Sequence, residues 1–144
     1  MDTNNGRDDA FRRAPLRYMG LSYEILFTAF PLFTWRIFPI GQSLRNVYIS
    51  MDVMDKSYPK FKTQGSASAL VTGGDAFLWQ SLASIAIPGI SLRFVRKVVF
   101  SLFKSPPLSQ ILTLATIPAI VPFGDDVTES LMNLSYREIF GKSY

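Results

Sequence analysis

Between Ser105 and Gly124 the chain runs for twenty residues without a charged side chain, and between Ala76 and Leu92 for seventeen more. Either run approaches the roughly 20 residues that a helix needs to cross the hydrocarbon of a bilayer. Ser66 to Gly74, uncharged and mostly small, lie just before Asp75 and extend the second run to spanning length. A chain of 144 residues has room for three or four such crossings or for one compact soluble domain, but not for both. Charged residues make up only 18% of it and crowd into Met1 to Glu24, Asp52 to Lys62, Arg93 to Lys104 and Asp125 to Lys142, the pattern of spans separated by loops.

A third apolar region, Ile25 to Ile40, is short, aromatic and interrupted by Pro31, Arg36 and Pro39. Beyond Gly41 the spacing of Leu44, Val47, Tyr48 and Met51 predicts an amphipathic helix with Arg45, Asn46 and Asp52 on its other sides. That helix is expected to end near Tyr58, because Pro59 disfavours helical backbone in the residue before it, and Lys56, Lys60 and Lys62 then form a basic loop. Pro31, Pro39, Pro88, Pro118 and Pro122 all fall inside apolar blocks. Each would cost about 3 kcal/mol inside a soluble helix, and membrane helices tolerate them better. A soluble helical bundle is the alternative, and it would have to carry these breaks in its core.

The chemistry available is narrow. No Cys and no His occur, which removes disulfides, thiolate sites and the usual acid–base group. The double glycine of Thr72-Gly73-Gly74-Asp75 lacks the Lys and Ser/Thr that a phosphate-binding loop requires. Asp75 is expected to cap the helix that follows it. Asp52, Asp55, Asp125, Asp126 and Glu129 show no recognised ligand spacing, so no metal is expected. The first twenty residues have no apolar core or cleavage site of a secretory signal, and Asp2, Asp8 and Asp9 do not suit a cleaved mitochondrial presequence, so any organelle address is expected to be internal.

The net charge of +4 is carried beside apolar runs, as contacts to lipid headgroups would be. Arg93, Arg96, Lys97 and Lys104 share an amphipathic stretch with Leu92, Val95, Val98, Val99, Leu102 and Phe103. Such a stretch suits an anionic phospholipid, the doubly charged cardiolipin included, or serves to set topology by snorkelling. Arg36, beside Trp35, is read as snorkelling to the interface, with Glu24 and Asp52 as partners if it is buried. Asp52, Asp55, Asp125 and Arg137 join it as candidate ion-pair or interfacial residues. Trp79 and Gln80 open a run of small residues, Ser81, Ala83, Ser84 and Ala86, whose face invites close approach by another helix of this chain or of a partner.

The segment Asp75-x-Phe77-x-Trp79-Gln80-x-Leu82-Ala83-Ser84-x-Ala86-Ile87-Pro88-Gly89 resembles the signature of the mitochondrial fission process protein 1 family, also called mitochondrial 18 kDa protein. Upstream, Arg17-Tyr18-x-Gly20 with Glu24, Ala29-Phe30 and Asp52-x-x-Asp55-Lys56 resemble its opening. Downstream, Thr116-Ile117-Pro118, Pro122-x-x-Asp125, Leu131 and Arg137 resemble its closing segment, so that the likeness covers about Phe11 to Phe140. The resemblance implies a multi-pass protein of the inner mitochondrial membrane with no catalytic activity, linked to mitochondrial division and membrane integrity.

The sequence is therefore expected to form an all-α membrane protein, with residues 1–16 a polar N-terminal segment and 17–144 one membrane domain. Crossings are expected near Ile25 to Gln42, Leu70 to Leu92 and Leu108 to Phe123, with interfacial helices at Ser43 to Lys56, Arg93 to Lys104 and Asp125 to Phe140. The Lys/Arg bias places the N-terminus in the matrix. Asp75, Trp79, Gln80, Ala83, Ser84, Pro88 and Gly89 are the expected helix-packing motif. No cofactor is expected beyond bound phospholipid, no nucleic acid, and as partners membrane lipids and other inner-membrane proteins. The alternative function is an accessory structural subunit of a respiratory-chain or ATP synthase complex, holding its small-residue face around Ser84 against another chain. A transporter would need a polar pathway, for which Arg36, Gln80 and Gln110 offer little.

Overall fold

The computed structural model describes residues 9–13, 15–30 and 34–141, without the side chains of Thr34 and Trp35. Pro31 and the Trp35 side chain therefore lie outside the described residues. Every element among them is helical: a short 3-10 turn at Ala10–Arg12, then α1 (Leu16–Met19), α2 (Ser22–Ala29), α3 (Thr34–Gln64) and α4 (Ser66–Ser81), a π turn at Leu82–Ala86, then α5 (Ile87–Phe103), α6 (Pro106–Ala115), α7 (Ile117–Leu134) and α8 (Tyr136–Phe140). The expected all-α class is observed.

Helix α3 does not stop at Tyr58. It runs through Pro59 to Gln64, because proline removes only one backbone donor and the surrounding turns are held by packing on α4. Thr63 Oγ1 donates to the Pro59 carbonyl at 2.9 Å. Lys56, Lys60 and Lys62 are thus helical rather than in a loop. Gly65, at φ +87°, ends the helix in a conformation that side chains rarely adopt, and α4 doubles back along α3 at once.

From Ser66 to Phe103 the helix is unbroken except for the π turn. Pro88 has no N–H, and just before it the N–H of Ile87 reaches back to the Leu82 carbonyl rather than to Ala83. The Ala83 carbonyl is thereby released from the helix ladder. Arg93 to Lys104 is the continuation of this helix rather than a separate interfacial one. Lys104 closes it with φ 50°, and Pro106 and Pro107 start α6, where missing donors cost nothing. A 50° bend separates α6 from α7 at Thr116, ahead of Pro118. The expected Asp125 to Phe140 helix is divided between α7 and α8.

Two hydrophobic clusters are buried, Leu21 with Leu92, Ile117 and Val121, and Trp79 with Ala83 and Met132. Around them the distribution of polarity is inverted. Buried positions include Arg17, Glu24, Arg45, Asp52, Asp75, Gln80, Thr113, Thr128 and Arg137, while Leu70, Ile90, Leu102, Leu134 and Ile139 are each more than two thirds exposed. Helix α3 shows the inversion most plainly: of the sequence stripe, Tyr48 turns inward while Leu44, Val47 and Met51 stay outside, and the inward face holds Arg45 and Asp52. Among the described residues no single helix is long and apolar enough to cross a membrane, and only α6 and α7 taken together, as a bent pair, pass by length and composition. Of the three crossings expected from the sequence, the one near Leu70 to Leu92 falls on α4 and α5 with the π turn between them, and the one near Leu108 to Phe123 on the bent α6–α7 pair.

Candidate functional site

The centre of the fold is Trp79, on the inward face of α4 and 2% exposed. Two guanidinium groups lie over its ring, that of Arg12 at 4.1 Å from the centroid and that of Arg17 at 5.4 Å. In a water-poor setting such stacking contributes about 2 kcal/mol or more. Helix α1 delivers Arg17 because Gly20, at its end, lies where a Cβ would stand 2.7 Å from the Tyr48 ring and 2.8 Å from Ser84 Oγ. Only glycine lets the N-terminal helix approach so closely.

Arg17 uses every side of its guanidinium. Nε and Nη2 donate to the Asp125 carboxylate at 2.6–3.2 Å. Nη1 donates to Ser84 Oγ at 2.8 Å, and Nη2 also donates to the Ala83 carbonyl, at 2.7 Å. That carbonyl is the one the π turn releases. Ser84 Oγ in turn donates to Gln80 Oε1 at 2.7 Å, and Gln80 Nε2 donates to Asp52 Oδ2 at 2.6 Å. Asp52 pairs with Lys56 at 2.6 Å, Lys56 with Asp9 at 2.8 Å and Asp9 with Arg12 at 3.0 Å. Arg12 reaches Glu129 at 3.4 Å, Glu129 pairs with Arg137, and Arg137 holds Asp75 through Nε and Nη2 at 2.9 and 3.1 Å.

The result is one continuous polar chain from Asp125 to Asp75, winding around the indole. Four cations alternate with five carboxylates, so nearly all charge is cancelled inside. Tyr48, whose hydroxyl donates to the Phe11 carbonyl, sits beside Gln80. Burial pushes its phenol up to about 12, against the opposing hydrogen bond from Gln80, so it stays a neutral donor. A second buried carboxyl, Glu24, packs against Gly89 of α5, and burial raises its pKa while Arg93 and Arg45 pull it back. Such an array holds helices together. Among the described residues no three acidic side chains converge as a metal would require.

The helix-packing motif meets its neighbour inside the same chain. Ala83 and Ser84, fully buried, face Arg17 of α1, and Gly89 faces Glu24 of α2. Asp75 is not a helix cap. It lies within α4, where Arg137 of α8 reaches it. Asp52 pairs with Lys56 and Asp125 with Arg17, Asp55 and Arg36 are exposed on α3, and Arg93 and Lys97 are exposed on α5, with Arg96 half-buried there and Lys104 exposed just past its end. Of the N-terminal segment before residue 17, Asp9 pairs with Lys56 and Arg12 stacks on Trp79. Arg12 was not singled out from the sequence, Tyr48 stood there only in an apolar stripe, and Glu129 only among carboxylates without ligand spacing. Only the tertiary approach of four separate segments gives them a role.

The chain is 28% identical to mitochondrial fission process protein 1 of Caenorhabditis elegans over 94% of its length and 91% of that protein. It is 27% identical to the human protein of that name, over 92% of this chain and 88% of the other, and 25% identical to that of Danio rerio over 98% and 94%. The chain is thus similar over nearly its whole length to proteins named mitochondrial fission process protein 1. No family model matches it, and no solved structure does. Of the residues that carry the sequence resemblance, Arg17, Asp52, Lys56, Asp75, Trp79, Gln80, Ser84, Asp125 and Arg137 lie in the network around Trp79. Others of them, Phe30, Phe77 and Leu131, are exposed.

Proposed function

We propose that this chain is a non-catalytic, multi-pass protein of the inner mitochondrial membrane that organises the membrane during division. The relatives' names supply mitochondrial fission. The observation that carries the membrane reading is the inversion of polarity: charges are buried and cancelled in pairs while many large apolar side chains, Leu70, Ile90, Leu102, Leu134 and Ile139 among them, are outside. Water rewards the opposite arrangement, whereas hydrocarbon offers charges no solvation and accepts apolar surface freely. The bent α6–α7 pair and the interrupted α4–α5 helix provide the membrane-embedded segments, their backbone breaks buried against other helices. At the end of α5, Arg93, Arg96, Lys97 and Lys104 contact anionic headgroups such as those of cardiolipin, with Phe94, Val98 and Leu102 beside them in the acyl region. No feature of the interior favours the accessory-subunit reading, because the small-residue face proposed for it is occupied within the chain.

The test combines fractionation with loss of the protein. Mitochondria are extracted with alkaline carbonate, and mitochondrial shape is scored in cells lacking the chain. Retention in the membrane pellet, altered shape and intact respiratory and ATP synthase complexes on native gels are expected. Release by carbonate would overturn the membrane reading, and unchanged shape with a missing complex would replace the fission role with that of a subunit.

A further inference from the structure

Helix α3 carries a second pattern, on the face turned away from the polar network. Leu44, Met51 and Tyr58 recur every seven residues, and so do Ile40, Val47, Met54 and Phe61, four residues before or three after them. All seven are exposed, Val47 by 53% and Met54 by 66%. The mean spacing is 3.5 residues, the period of a helix that winds around another helix, whereas a face turned to lipid has no reason to depart from 3.6. Nor does α3 suit lipid on all sides. It carries Arg36, Arg45, Asp52, Asp55, Lys56, Lys60 and Lys62, and its apolar stripe is narrow, with polar residues along both borders.

Those borders fit a second α3. On one side stand Ser43, Ser50 and Ser57, small at each heptad, and on the other Asp55 and Lys62. In a parallel, in-register pair, the residue five further on in the partner lies opposite each serine, so Ser50 faces Asp55 and no like charges meet, while Ser57 packs beside Gly73 of its own α4 and Tyr48, the counterpart of Ser43, is turned into its own bundle. At its C-terminal end the stripe opens into an apolar groove of about 720 Å³, where Met54, Tyr58 and Phe61 oppose Leu70 and Phe77 of α4. Nine large side chains, about half exposed and each bringing on the order of 100 Å², give a patch above the roughly 800 Å² per partner that a specific interface needs.

We propose that the exposed stripe of α3 is the seam along which two copies of this chain pair in parallel. The inference stands apart from the fission role, since it concerns self-association of the purified protein. Because the sequence has no cysteine, single-cysteine variants report on the seam directly. The full chain in mild detergent, carrying Val47→Cys, Met54→Cys or Asn46→Cys, is oxidised at low protein concentration and its cross-linked fraction measured. A disulfide-linked band at twice the chain's mass is expected for Val47→Cys and Met54→Cys, at least about tenfold above Asn46→Cys on the off-stripe side. Adding Val47→Lys to Met54→Cys places a charge in the seam and lowers the cross-linked fraction about tenfold or more, equal to about 1.4 kcal/mol, with helical circular dichroism unchanged. Equal cross-linking at all three positions, or a monomeric mass by light scattering with the helical signal intact, would overturn the proposal.

Discussion

Removing Arg137 while leaving Asp75 in place isolates the energetic weight of the network. Asp75 is 0% exposed, and its two oxygens are both met by Arg137, so in Arg137→Met the carboxylate has neither water nor a counter-charge. Breaking one partner of a buried pair costs about 3–5 kcal/mol, because the orphaned charge keeps its desolvation penalty. Glu129 also loses a partner, but its side chain is 40% exposed and adds little. At 2–4 °C of melting temperature per kcal/mol for a chain near this size, Arg137→Met is expected to melt roughly 10 °C lower in detergent, followed by circular dichroism. The double variant Asp75→Asn with Arg137→Met removes both charges and should regain at least about 2 kcal/mol of that loss. A single variant that melts within about 2 °C of the unaltered protein, or a double variant no better than the single, would show that the pair is not a buried electrostatic contact.

Gly20→Ala forces a methyl into the Tyr48 ring and Ser84 Oγ, so a loss of about 1–3 kcal/mol is expected, where Gly141→Ala, with open space at its Cβ but φ +76°, should report only backbone strain; equal small effects in urea titrations would remove the close approach from the account. For Tyr48 the folded pKa is raised, so its contribution is complete below the unfolded value of 10.0 and is lost as pH rises toward about 12. Subtracting Tyr48→Phe from the unaltered protein should show that loss as about 1.4 kcal/mol per pH unit between those limits, and a flat difference would contradict a buried phenol. Replacing Arg93, Arg96, Lys97 and Lys104 together by Gln should weaken binding to cardiolipin-containing vesicles by about 1 kcal/mol per charge, with binding to neutral vesicles unchanged; equal losses on both would mean that these residues serve folding rather than headgroups.

Much of the helical content was legible before any coordinates. The Pro106-Pro107 start of α6, the uncharged runs and the closing Arg137 segment are local signals, and helix formation obeys local rules. Pro59 and Asp75 were misread for the same reason in reverse. Proline's effect on its predecessor and an acid after two glycines are sound local arguments, but packing of α4 along α3 carries the helix through the first, and Arg137 from 62 residues away claims the second.

Composition and charge placement by themselves determined an all-helical chain with apolar blocks and no cysteine or histidine chemistry, because these depend only on residue type and spacing. The same spacing gave α3 two faces without telling which lies inside. Tertiary structure decided that Tyr48, Arg45 and Asp52 turn inward and Leu44, Val47 and Met51 outward. The physical reason is that a charge is tolerated in an interior only when a partner reaches it, and the partners of Asp52, Asp75, Arg17 and Arg12 come from helices far apart in the chain.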